Sequence, residues 1–344
     1  MIPINWTRCL QAKPAESLTT PSPATQTHPW RGYILIAAAS FCWGASATFG
    51  KALFSGRLFG EQTYGEHTRI SPLVLSQART TFAVLLLGGF LLARYGRAFF
   101  RMARRDLVLC LLVGTLGLAG SNYFYYLAIQ KSTVALAITL QYTAPLWVLI
   151  TMVLRGRERF TILRISSVLL AMVGIALAIG LFRGGVTINR WGAAAAMVAS
   201  FSFAFYNILA QALVGRYHQL LVMTYALLGA ASLWMVLDPP WKLAAQHFSL
   251  KQWGFLFIFS CCATLVPYFF YFSGLKYLDP TRAIVASCLE PVFAILFAAA
   301  FVGEDIGFLQ GVGIAAVLVA TVMVQIRRRG GVPPPSVTPK AAQI

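Results

Sequence analysis

The chain predicts an all-α integral membrane protein of ten transmembrane helices, arranged as two inverted five-helix repeats. Three observations lead there. The second half repeats the first: a displacement of 146 positions lays Tyr125 on Tyr271, Ala137 on Ala283, Pro145 on Pro291, Glu158 on Glu304 and Leu163 on Leu309 without a gap. The loops at the shared glutamate invert their charge, with Arg155, Arg157 and Arg159 around Glu158 but Gly303 and Asp305 around Glu304, as loops on opposite sides of a bilayer do. Finally, 58% of the residues are hydrophobic, only 11% are charged and the mean hydropathy is +0.70, a balance that a soluble chain of this length does not carry.

The elements follow in order. Residues 1–31 are rich in Pro, Thr, Ser and Gln and lack an apolar core, so they predict a disordered cytoplasmic tail and not a cleavable signal peptide. The first repeat, 32–183, holds apolar stretches near 33–54, 72–93, 107–128, 133–154 and 162–182. The second, 190–327, holds those near 191–214, 220–237, 252–274, 282–302 and 306–326, and 328–344 form a second tail. Each stretch approaches or exceeds the ~20 residues that cross ~30 Å of hydrocarbon as a helix, and none alternates as a barrel strand would. The copies also align at their starts, now with a displacement of 160 that lays Gly32 on Gly192 and Ser40 on Ser200. The extra residues of the first copy fall in the polar loop Gly56–Ser71, read as a tolerated insertion in preference to a lid.

The net charge of +18 is spread over short loops, not gathered on one face, which argues against a nucleic-acid partner. In an N-inside, ten-span arrangement nineteen Lys and Arg fall on the cytoplasmic side, eight outside, and Arg79 within a span. That bias places both termini in the cytoplasm of a cell or inner membrane, with some attraction for anionic headgroups. Cys42, Cys110, Cys261, Cys262 and Cys288 lie in spans and Cys9 in the tail, which predicts packing roles, no disulfide and no metal site. His28, His67, His218 and His247 lie in tails or loops, away from any nucleophile within the spans, so the chain is not read as an enzyme and needs no cofactor. Gly44 to Lys51 imitates a phosphate loop, but five residues separate its glycines where four are needed and Ala52 replaces Ser/Thr.

Glu290 is the leading candidate site residue, because an ionisable group deep in a span marks function by default. Pro291 frees the carbonyl of Ser287 and Pro145 that of Gln141, local openings of the kind transporters use to hold ions or substrate. Proton exchange at Glu290 is one reading; a structural hydrogen bond to a neighbouring helix is the other. Arg79 is read first as a structural partner or a snorkelling side chain, and second as an anion-binding group. Trp43, Gln141, Tyr142, Ser200 and Asn207 are candidate cavity lining, and Lys51 a candidate at the mouth. Glu158 and Glu304 precede the fifth helix of each repeat and are read as structural charges at its positive end. The runs Tyr123–Tyr126 and Phe269–Phe272 suggest an interfacial belt first, with a cavity-facing role for some members as the alternative, and Gly307 with Gly311 a small-xxx-small pair for close packing within the bundle or, less often, dimerisation.

Taken together, Phe41, Trp43, Gly44 and Lys51; Tyr125, Tyr126, Pro145, Gly156 and Glu158; and Tyr271, Gly274, Glu290, Pro291, Gly303 and Glu304 resemble the EamA-like branch of the drug/metabolite transporter superfamily over residues 31–327. The resemblance implies two inverted five-helix repeats and export or permeation of amino acids, metabolites or drug-like compounds, with relatives that exchange nucleotide sugars or sugar phosphates. The chain departs from an even pairing where Ala144 stands opposite Glu290 and where arginines surround Glu158. The expected function is a secondary transporter, most readily a proton-coupled exporter working by alternating access. An obligate exchanger of phosphorylated or nucleotide-linked metabolites is the alternative within the class, and a lipid-handling or receptor-like membrane protein the alternative outside it. The partners expected are a small-molecule substrate, protons and the bilayer, for a monomer or homodimer.

Overall fold

The computed structural model describes residues 28–54, 72–181, 189–237, 250–302 and 305–325, together with residues 239 and 241. Among them are helices and connecting turns and no strand. The helices are α1 (Pro29–Phe54), α2 (Pro72–Tyr95), α3 (Arg104–Lys131), α4 (Val134–Leu154), α5 (Ile162–Ala178), α6 (Arg190–Val214) and α7 (Gln219–Leu237). They continue with α8, which runs through Leu250–Ser260, Cys261–Leu265 and Val266–Gly274, then α9 (Pro280–Phe301) and α10 (Phe308–Met323). Seven of the described helices are long and apolar enough to cross a membrane, and α5 and α10 are shorter apolar helices.

The ends of these helices are written in the sequence. Thr133, Thr161, Asn189 and Asp279 each accept a hydrogen bond from the first turn of α4, α5, α6 and α9, which satisfies donors that the helix itself leaves free. Gly156 and Gly180 close α4 and α5 at φ 66° and 79°, a left-handed conformation that other residues adopt at a cost. Two helices change pitch midway: Val113–Ala119 of α3 and Cys261–Leu265 of α8 are π segments. In α8 the cause is Pro267, which cannot donate to the carbonyl of Ala263.

Lipid tails are as apolar as leucine, so close backbone approach and interhelical polar contacts hold such helices together. Here the approaches are severe. A Cβ on Gly114 of α3 would lie 1.9 Å from the Ala226 carbonyl of α7, and one on Gly313 of α10 would lie 2.4 Å from Ala178 N and 2.6 Å from the Gly174 carbonyl of α5. Gly32 and Gly274 bring α1 and α8 together in the same way, and Gly192 brings α6 onto Ala128 and Ser132 at the end of α3. The pairings form a pattern: α3 packs on α6 as α8 does on α1, α4 on α6 as α9 on α1, and α2 on α7, α4 on α9 and α5 on α10.

Two expectations need correction. Tyr271 and Phe272 are not part of an interfacial belt; both are fully buried, stacked or tilted against Tyr206, because Tyr271 spends its hydroxyl on Asn207 instead of water. The close-packing glycine of α10 is Gly313, whereas Gly311 faces open space and Gly307 sits at the helix cap. Glu304, Gly303 and the loop Gly56–Ser71 lie outside the described residues, as does the side chain of Lys51.

Candidate functional site

Two helices are interrupted at matching places. α4 ends a first piece at Gln141, turns through Tyr142 and Thr143, and resumes at Ala144 with Pro145 in its new first turn. α9 ends a first piece at Ser287, turns at Cys288, and resumes at Leu289 with Pro291 one turn further in. A proline has no N–H for the carbonyl four residues back, so each helix opens just ahead of it.

Across these breaks the Tyr142 hydroxyl donates to Glu290 Oε2 at 3.0 Å. A carboxyl group in the interior of the bundle is thus held by a phenol from the other half of the chain. Tyr125, Tyr268 and Tyr271 lie within electrostatic reach of Glu290. Trp43 packs edge-on to Tyr268 at 5.3 Å between centroids and tilted against Tyr271 at 5.4 Å. The approach of α1 depends on Gly44, where a Cβ would stand 2.9 Å from the Glu290 carbonyl oxygen and 2.8 Å from Ala294 N.

Arg79 of α2 is also within electrostatic reach of Glu290 and Tyr268, yet it forms no ion pair among the described residues. With Thr80, Asn122, Thr264 and Tyr268 it lines an internal cavity of about 10 Å³, roughly the space of one water. Arg79 itself is half-buried. One turn earlier on α2, Ser76 donates to the Tyr126 hydroxyl at 3.3 Å, and Gln77 is buried with neither amide atom hydrogen-bonded.

The other polar candidates hydrogen-bond between or within helices. Gln141 donates to Ser121, which bonds the Ala199 carbonyl; Thr143 and Ser200 bond each other at 2.8 Å; Ser287 donates to the Ile284 carbonyl. Asn207 is fully buried, donates to the Phe203 carbonyl and accepts from Tyr271. Tyr125, Tyr126 and Tyr268 lie around Glu290 and Arg79, with Ser76 bonded to Tyr126, and aromatic or hydroxyl identity alone does not separate them from packing residues.

A second polar cluster joins the α4–α5 loop to the start of α9. Arg164 meets Glu158 at 2.5 Å and Asp279 at 3.4 Å, and Asp279 also pairs with Arg282 at 3.3 Å. Thr161 caps α5 with its side chain, and Glu158 pairs with Arg164 in the first turn of the same helix. Burial, reinforced by the Asp279 carboxylate, outweighs Arg164 and pushes Glu158 up to about 7. A neighbouring clasp has Asp106 at the start of α3 pairing with Arg216 at 3.0 Å and accepting from Tyr217 at 2.7 Å.

Comparison with known proteins agrees with this architecture. The EamA-like transporter family model matches residues 30–180 and again 190–326. The chain is 22% identical to the "uncharacterized inner membrane transporter YicL" of Salmonella typhimurium over 305 residues, 87% of this chain and 96% of that protein. It is 26% identical to the threonine/homoserine exporter RhtA of the same species over 254 residues, 73% of this chain and 82% of that one. A solved crystal structure covers 88% of this chain and 96% of its own at a TM-score of 0.66 and 17% identity, a likeness of fold.

Proposed function

The chain belongs to the EamA-like transporter family, a multi-pass membrane transporter and not an enzyme, and we propose that it is a secondary active exporter of small polar metabolites, with amino acids the favoured class. It works by alternating access between two inverted repeats of five helices, residues 32–183 and 190–327, with both termini in the cytoplasm. The reciprocal packing of α3–α6 with α8–α1 and of α4–α6 with α9–α1 supports such a pseudo-twofold. Protons exchange at Glu290.

The observation that carries the reading is the Tyr142–Glu290 hydrogen bond between the two interrupted helices. A buried carboxyl group can be neutral while protonated and must find water, a cation or a donor once it is not, so its charge state biases which packing of the halves is stable. Arg79 can receive a carboxylate and Glu290 with Trp43 and Tyr268 an ammonium group. RhtA is a threonine/homoserine exporter, which is consistent with a substrate bearing both charges.

The test is efflux from reconstituted vesicles loaded with a mixed metabolite extract under an imposed proton gradient. Selective efflux of an amino acid by the wild type, abolished in a folded Glu290→Gln variant, is the expected result. Arg79, which makes no ion pair among the described residues, supports a second reading, exchange of anionic metabolites: efflux would then wait for a counter-substrate outside, survive Glu290→Gln and stop with Arg79→Gln. Binding without flux in either arrangement would point to a receptor-like or lipid-handling role.

A further inference from the structure

The far half of α2 carries a notch made by two glycines. A Cβ on Gly89 would meet nothing within 4 Å, and one on Gly88 only Thr224 Cγ2 at 3.9 Å. Around the notch, α2 and α7 frame an open groove of about 530 Å³ walled by Val84, Leu85, Leu92 and Leu228 and ended by Arg97 and Phe100. Tyr225 fixes that end, its hydroxyl donating to the Phe100 carbonyl at 2.7 Å. Leu85, Leu92 and Leu228 are exposed by 65%, 48% and 44%, so the groove opens outward from the bundle.

On the flank of a membrane-spanning helix, outward means toward hydrocarbon. From Val84 to Arg97 the chain rises about 20 Å at 1.5 Å per residue, against about 15 Å for one leaflet of a ~30 Å core. An acyl chain lying over Gly88 and Gly89 therefore brings its headgroup to Arg97. That end is strongly basic: Arg94, Arg97, Arg101, Arg104 and Arg105 are all exposed, and the nearby acid, Asp106, is buried and engaged by Arg216 and Tyr217. Apolar walls accept any lipid; the arginines discriminate by charge.

We propose that the α2–α7 groove is a binding site for an anionic phospholipid, its acyl chain over Gly88 and Gly89 and its phosphate at Arg97. A second copy of the chain is a poorer occupant, because a twofold pairing of these faces brings two arginine clusters to the same membrane depth. The site is independent of the transport reading.

Full-length protein exchanged into nanodiscs of phosphatidylglycerol and phosphatidylethanolamine, then released for native mass spectrometry, tests it directly. The expected result is one retained phosphatidylglycerol per chain, favoured about tenfold over phosphatidylethanolamine. Gly89→Leu fills the notch where nothing is displaced and should abolish retention of both lipids; Arg97→Gln should retain lipid but lose the preference. Equal retention of both lipids by the wild type, or unchanged retention in Gly89→Leu, would overturn the proposal in favour of an unselective lipid annulus. Dimers that vanish in Gly89→Leu would overturn it in favour of a second copy.

Discussion

Tyr142 and Asn207 are both buried polar side chains bridging helices, and their surroundings assign them different work. Tyr142 holds a carboxyl oxygen that must change its charge for proton exchange, whereas Asn207 has both amide groups committed, to Phe203 and Tyr271. Removing a donor from a buried acceptor costs about 1–3 kcal/mol. Tyr142→Phe should lower proton-driven efflux by about tenfold and shift its pH profile, with a fall in melting temperature of a few degrees at most. Asn207→Ala should instead lower the melting temperature and leave the pH profile of the remaining flux in place. Paired efflux and thermal-unfolding measurements on both variants separate the two roles. Glu290 and Arg79 were legible in the sequence because a charge inside an apolar span is costly enough to need a reason. Tyr125, Tyr126 and Tyr268 were not, since an aromatic run near a span end reads the same whether it meets headgroups or a cavity.

Among the elements, the clasp of Glu158, Arg164, Asp279 and Arg282 ties the end of one half of the chain to the start of α9 in the other, with Tyr33 of α1 beside it. Under the proposed alternating access this end has to open, and opening would expose Glu158 to water. In the closed state Glu158 sits near 7, above its ordinary value of 4.5, so between those values the closed form holds a proton that the open form releases. Closure is therefore fully favoured at pH below the ordinary value and loses that advantage as pH rises through about 7. Labelling of Thr281→Cys, a position fully buried in the closed clasp, should increase from pH 6 to pH 8, and Glu158→Gln should flatten the increase. Asp279→Asn keeps a side chain able to cap α9 but removes the charge, so labelling should rise at every pH. The caps Thr133, Thr161, Asn189 and Asp279 and the breaks before Pro145 and Pro291 follow from residue type and position. The π segments do not: i→i+5 bonding carries no sequence pattern of its own, and the glycines of α3 could equally have marked a contact, which they also make.

At the scale of the whole molecule, in the proposed inverted repeat the internal displacement of 146 positions would relate the two ends of the bundle, and it exposes where they differ. Glu158 corresponds to Glu304, but Arg164 corresponds to Gln310, Asp279 to Thr133 and Arg282 to Leu136. One end builds an ionic clasp between the halves; the matched positions of the other carry Glu304, followed by Asp305, and no base. If the two ends open in turn, this asymmetry favours closure at the clasped end and leaves the opposite end easier to open. The missing ions can be supplied. Thr133 already caps α4 through its side-chain oxygen, a task aspartate performs as well, and Gln310 lies in the first turn of α10, where an arginine gives up the bond that Gln310 Oε1 accepts from Gly307 N, so the new pair has to outweigh that loss. Thr133→Asp with Gln310→Arg should create a second clasp worth about 1 kcal/mol, enough to shift a two-state population about fivefold. Efflux should fall, and a cysteine replacing the exposed Lys131 should label less from outside, while one replacing the exposed Arg157 should label more from the cytoplasm. Equal labelling of both cysteines in the wild type and the doubly substituted protein would mean that the two ends do not open in alternation about this axis.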